Sequence, residues 1–86
     1  MRYRVKRVSD LPKNLGGLNC YAARDLRIPY PYPCSTVLVA RGLTKTGDRE
    51  TVLHEKLEAE IMRTTRLPYR RAHKLTETIE KLFRRV

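Results

Sequence analysis

The chain has 86 residues, enough for one small domain but not for an enzyme with a lid and a separate cofactor domain. It carries 19 Lys+Arg against 9 Asp+Glu, a formal net charge of +10, which points to a polyanionic partner, DNA or RNA first. A solvated basic surface without a specific partner is the alternative reading.

The excess charge is uneven. Residues 1–47 hold nine Lys/Arg and two Asp, a net of +7, and residues 48–86 hold ten Lys/Arg and seven Asp/Glu, a net of +3. No apolar run approaches the roughly 20 residues that span a bilayer, and the start of the chain has no signal-peptide pattern. The expectation is an intracellular protein without a membrane. The chain lacks Gln, has only Asn14 and Asn19, and uses Arg more than Lys, which leans towards a thermophilic source.

Met1 to Val8 alternates apolar Tyr3, Val5 and Val8 with basic Arg2, Arg4 and Lys6. Period two predicts a half-buried strand with a basic outer face. Asp10-Leu11-Pro12 ends it, and Asn14 to Asn19, with Gly16-Gly17, reads as a turn. Cys20 to Arg27 suits one or two helical turns. Ile28-Pro29-Tyr30-Pro31-Tyr32-Pro33 must run extended, because Pro fixes its own backbone and restricts its neighbour. This segment either packs its rings across the domain or offers a protein partner a docking arm. Cys20 and Cys34 read first as two half-buried thiols, with a disulfide or metal ligation as alternatives.

The best strand runs over 35–41, where Thr36-Val37-Leu38-Val39-Ala40 is apolar enough to be buried on both faces. After a loop, Thr44 or Thr46 can cap a helix from about Asp48 to Arg63 or Thr64. Leu53, Leu57 and Ile61 repeat at spacing four and are expected to face the core, with Val52 and Met62 beside them. Pro68 suits the first turn of a second helix. There Tyr69, Ala72, Thr76, Ile79, Phe83 and Val86 mark the buried face, and Lys81, Arg84 and Arg85 make a basic end. The whole reads as one α+β domain: a basic strand and Pro-rich half over 1–47, and a two-helix half over 48–86. A short sheet, the N-terminal strand plus strand 35–41, packs on the two C-terminal helices.

The chemistry concentrates in the helices. His54 and Glu58 are four residues apart and share a helix face. Glu55 follows His54 as the Glu follows the first His in HExxH, but Glu58 stands where the second His would be. His73 on the second helix can meet them. The set His54, Glu58 and His73 would hold zinc with one position left open. Glu55 would be the catalytic base, and Glu80 a fourth ligand or the acceptor that fixes His73. The same residues can instead form a structural hydrogen-bond cluster without metal.

The order strand, loop and His-Glu helix resembles the core of zincin-type metallopeptidases, with Ser35–Leu43 in the place of their cleft-lining edge strand. His54, Glu55, Glu58, Met62, Tyr69, Ala72, His73 and Glu80 also resemble a pattern of small archaeal and viral proteins: an HExxE helix, then Tyr-x-x-Ala-His, then Glu. The resemblance covers about residues 35–82. It implies a zincin-like minimal core, a metal centre with Tyr69 and Glu80 in support, and hydrolase or peptidase activity. Glu58 in place of the second His departs from the zincin pattern and weakens the case for proteolysis.

A nucleic-acid-binding accessory protein is the rival. Arg2, Arg4, Lys6 and Arg7 on the first strand, or Arg66, Arg70, Arg71 and Lys74 around the inter-helix turn, would track phosphates. Tyr3, Tyr30 and Tyr32 would stack bases. No homeodomain, zinc-finger or ribonucleoprotein signature accompanies them.

Overall fold

The computed structural model describes residues 2–84. Its elements run β1 (Arg4–Val8), β2 (Gly17–Leu18), α1 (Cys20–Leu26), β3 (Thr36–Ala40), α2 (Lys45–Thr65) and α3 (Tyr69–Arg84), an α+β fold with two C-terminal helices. Met1, Arg85 and Val86, which the sequence places in the first strand and the last helix, lie outside the described residues.

The sheet order is β1-β3-β2, with β1 parallel and β2 antiparallel to β3. The central position explains the composition of β3: Thr36, Val37, Leu38 and Val39 are all buried. It also corrects an expectation. The stretch read as a cleft-lining edge strand has neighbours on both sides, β1 and β2, which are themselves the edges. The stretch that holds β2 reads as a turn in the sequence, because two residues of strand have no period to read. In β1, Val5 and Val8 are half-buried and Arg4, Lys6 and Arg7 exposed, but Val5 and Val8 point to opposite faces, so the basic residues are divided between both faces and do not form the one basic outer face expected.

The pleat decides what faces the helices. Gly17 pairs with Val39, and Leu18 with Leu38. A Cβ on Gly17 would meet Glu55 of α2, so Gly17 and Val39 point to α2 and Leu18 and Leu38 point away. Leu18 and Leu38 join Ala22, Ala23, Met62 and Ala72 in the apolar core. Residues 28–33 run across it, with Ile28, Tyr30 and Tyr32 turned inward and the three prolines exposed. The Tyr30 hydroxyl donates to the Thr36 carbonyl, and Lys6 Nζ sits 5.4 Å from the Tyr32 ring centre.

Cys20 and Cys34 form a disulfide, not the pair of thiols expected first. Their Cα atoms come within 5.1 Å because residues 28–33 return the chain from the end of α1 to the start of β3, beside Cys20. Asn19 caps α1, its Oδ1 accepting from Ala22 N at 2.9 Å. Thr44 caps α2, so the helix starts at Lys45, three residues before the expected Asp48.

The largest correction concerns α2. Its buried side chains are Glu55, Glu58, Ala59 and Met62, while Leu53 is 56% exposed and Leu57 and Ile61 are half-buried. The helix turns carboxylates inward, since Asn19 and two histidines satisfy them there. On α3, Ala72 and Thr76 are buried as expected, and the Thr76 hydroxyl donates to Ala72 O. Phe83, expected on the same buried face, is 72% exposed, because α3 runs on past the elements that cover its first half. Asp25 of α1 accepts from Tyr69 N at 2.7 Å and anchors the start of α3.

Candidate metal centre

Helices α2 and α3 run antiparallel, so that early α2 meets late α3: His54 lies against Glu80, and Glu58 against His73. Three potential ligand atoms converge. His54 Nε2 is 3.0 Å from Glu58 Oε2 and 3.2 Å from His73 Nδ1, and His73 Nδ1 is 2.8 Å from Glu58 Oε2. Ligands on a tetrahedral zinc ion with bonds near 2 Å lie about 3.3 Å apart, so the triangle fits after opening by a few tenths of an ångström. His54, Glu58 and His73 thus form a group able to hold a metal ion.

The outer atoms of these side chains are tied down. Glu80 Oε1 lies 2.6 Å from His54 Nδ1. With the Nδ1 proton donated to Glu80, the Nε2 lone pair is left for the centre, the usual arrangement behind a metal-bound His. This corrects the expectation that Glu80 fixes His73. One helical turn earlier on α3, Glu77 lies nearer that ring, 3.7 Å from His73 Nε2. The Tyr69 ring is tilted against His73, with centres 5.4 Å apart.

A residue not foreseen orients the acids. Asn19, fully buried, donates its Nδ2 protons to Glu55 Oε1 and Glu58 Oε1, each at 3.1 Å. It thereby turns Glu58 Oε2 towards the histidines. The available signal was an Asn directly before a helix. A capping Asn uses its oxygen and keeps two donors for something else.

Burial disfavours a charged His54 ring, but the hydrogen bonds it donates to Glu58 and Glu80 outweigh that and lift its pKa to about 9. Burial, reinforced by the negative charge of Glu58, pushes Glu55 up to about 8. Tyr69 is also raised, by burial and then by Glu58 and Glu55.

The cluster opens on a cleft of about 270 Å³ lined by Leu15, Gly16, Gly17, Tyr69, Glu55, His54 and His73. Glu55 is 5% exposed, set between Asn19 and the Gly17 backbone. A larger cleft of about 450 Å³ lies between the end of β1 and residues 28–32, and His54, Glu58 and His73 do not line it.

The basic residues do not gather in the same way. Arg7 forms a two-bond pair with Asp48, at 2.9 and 2.7 Å, while Lys6 points to the other sheet face beside Tyr32. Arg2, Arg4, Arg66, Arg70, Arg71 and Lys74 are exposed, the last four around and after the α2–α3 turn. No family model, curated protein or solved structure matches the chain.

Proposed function

We propose that this chain is a zinc-binding protein with a hydrolytic centre, held by His54, Glu58 and His73. The observation that carries the reading is the convergence of His54 Nε2, Glu58 Oε2 and His73 Nδ1 within 3.2 Å of one another at the edge of a cleft. Two His and one carboxylate, with a fourth position left open, are a donor set of catalytic zinc sites. When bound, the ion supplies Lewis acidity to polarise a carbonyl or phosphoryl oxygen.

The chain's own residues do the rest. Glu80 holds the His54 tautomer. Asn19 holds Glu58. Glu55, on the wall of the same cleft, would take a proton from an attacking water in its ionised form, which burial and the charge of Glu58 disfavour below about pH 8 as long as no cation sits in the cluster. Tyr69 closes the cleft beside His73.

Metal analysis of protein purified without an affinity tag tests the centre. One equivalent of Zn²⁺ is expected, falling well below half in His54→Ala and in His73→Ala. Asn19→Asp would set a third carboxylate against Glu55 and Glu58, and is expected to weaken Zn²⁺ binding while keeping the α1 cap. Substoichiometric zinc, unchanged by His54→Ala, would leave a structural hydrogen-bond cluster. Glu55→Gln separates chemistry from binding: full zinc content is expected, with hydrolysis of an ester or peptide substrate reduced by roughly 10²- to 10⁴-fold.

A further inference from the structure

A cleft of about 470 Å³ opens where α1 meets the turn between α2 and α3, and His54, Glu58 and His73 do not line it. Helix α1 runs alongside α2 in the same direction. Asn19, before its start, reaches Glu55 and Glu58, while Tyr21, Arg24 and Asp25 share the cleft with Met62, Arg63, Arg66 and Leu67. Both helices therefore end here. Their C-terminal ends are partly negative, which helps three guanidinium groups, Arg24, Arg63 and Arg66, to stand together on its walls.

Among the described residues, those three arginines face one acid in the lining, Asp25, whose Oδ2 accepts from Tyr69 N at 2.7 Å. Arg63 Nε lies 2.5 Å from Glu60 Oε1, whereas Arg24 and Arg66 pair with no carboxylate among the described residues. Arg66 also holds its place at a cost. It closes α2 at φ 60°, where glycine would be free of strain, and a side chain kept on a strained backbone points to use. Of the residues that the sequence offers as a basic patch, Arg66 is the one that lines this cleft.

Guanidinium groups bind phosphate through paired hydrogen bonds in a fixed fork, which ammonium groups lack. Tyr21, half-buried, gives the cleft an aromatic wall of the kind on which bases stack. We propose that this cleft binds a single strand of nucleic acid, with backbone phosphates on Arg24, Arg63 and Arg66 and a base against Tyr21. A duplex keeps its bases paired and offers the cleft only its backbone. A recess lined by arginine does not present itself to a flat lipid surface, and no described helix is long and apolar enough to cross a membrane. The net charge of +10 draws polyanions to the surface at large, and the cleft is where one strand is held.

Fluorescence anisotropy of a labelled single strand of about 20 nucleotides, titrated with the intact protein, tests this. Chelator is present throughout, so the outcome is independent of the metal centre. Binding is expected at low salt and should weaken as salt rises. Arg24→Ala with Arg66→Gly removes two guanidinium groups and relieves the strained helix end, so the fold should hold, as circular dichroism would show. Its Kd should rise roughly tenfold or more, and the slope of log Kd against log salt should fall by about 1.4, two contacts at about 0.7 each. Lys45→Ala with Arg49→Ala removes the same charge from exposed positions near the other end of α2, about 25 Å or more away, and should raise Kd by less than about threefold. A hairpin duplex of equal length should bind about fivefold or more weakly, the worth of one stacked base. Absence of binding at low salt overturns the proposal. So does a loss that the two double variants share, since adsorption would then follow net charge alone, and so does a duplex that binds as tightly as the strand. Polyglutamate of equal charge that displaces the strand as well as unlabelled strand does would name an acidic protein surface as the occupant instead.

Discussion

Glu55 and Glu58 are carboxylates in the interior of a very small domain, and single residues decide whether they are tolerated. Asn19 supplies hydrogen bonds to both. Gly17 supplies space: a Cβ there would lie 2.6 Å from Glu55 Cγ and 2.7 Å from its Oε2. Gly16, next in the chain, has nothing within 4 Å of the same added atom. The pair makes a controlled test. Gly17→Ala is expected to lower stability by about 1–3 kcal/mol, as overpacking does, and to displace Glu55, whereas Gly16→Ala should change stability by less than about 0.5 kcal/mol. Chemical denaturation of the two variants measures this, and equal effects would show that Glu55 does not depend on the missing side chain. His54, Glu58 and His73 were legible in the sequence because helical spacing and a short connection bring them together. Asn19 and Gly17 were not, because a turn reading gives a polar residue and a glycine their local roles and hides their long-range ones.

At the scale of elements, the helix positions were readable and the inward face of α2 was not. Periodicity assumes that what is buried is apolar. Leu53 and Leu57 satisfied that rule, yet the inward side is Glu55, Glu58, Ala59 and Met62. Local rules fail most at sites that do something besides pack, so the failure itself points to the site. The ends of the helices carry another local conflict. Arg66, which closes α2, has φ 60°, a left-handed conformation that an L side chain adopts at a cost of roughly 1–2 kcal/mol and that glycine accepts freely. Its N–H still reaches Met62 O at 2.9 Å. Arg66→Gly should therefore stabilise the fold by about 0.5–1 kcal/mol, the relief of strain exceeding the added freedom of the unfolded chain. A higher denaturation midpoint at unchanged slope would show it, and a lower midpoint would mean that the Arg66 side chain contributes more than its backbone costs.

Across the whole molecule, three distant segments meet at one charged cluster: Asn19 before α1, residues 54–58 of α2, and residues 73–80 of α3. Fold stability and the state of the centre are therefore linked. His54 faces Glu58 on its own helix and Glu80 and His73 on α3; Glu55 faces Glu58 and Asn19. In the metal-free protein His54 has a folded pKa of about 9, above its ordinary 6.5, so its contribution is full below pH 6.5 and is lost as pH rises through 9. Glu55, raised to about 8 from its ordinary 4.5, acts in the same direction: burial favours its protonated form, and the cost of ionising it grows as pH rises towards 8. Between about pH 6.5 and 8 both groups bind more protons folded than unfolded, and the stability of the metal-free protein should fall with rising pH. Under the proposed function, Zn²⁺ would compete with protons for His54 Nε2 and bind only the folded arrangement, so its stabilising effect should grow over the same interval, reaching about 2.7 kcal/mol wherever free ion is 100 times Kd. Thermal melts at pH 6.5, 7.25 and 8, with chelator and with Zn²⁺, give both slopes. A falling Tm in chelator beside a widening gap to the zinc-bound protein is the expected pair. A chelated protein that gains stability towards pH 8 would mean that His54 and Glu55 do not hold these protons in the folded state, and a zinc effect that shrinks with pH would move the ion away from the histidines.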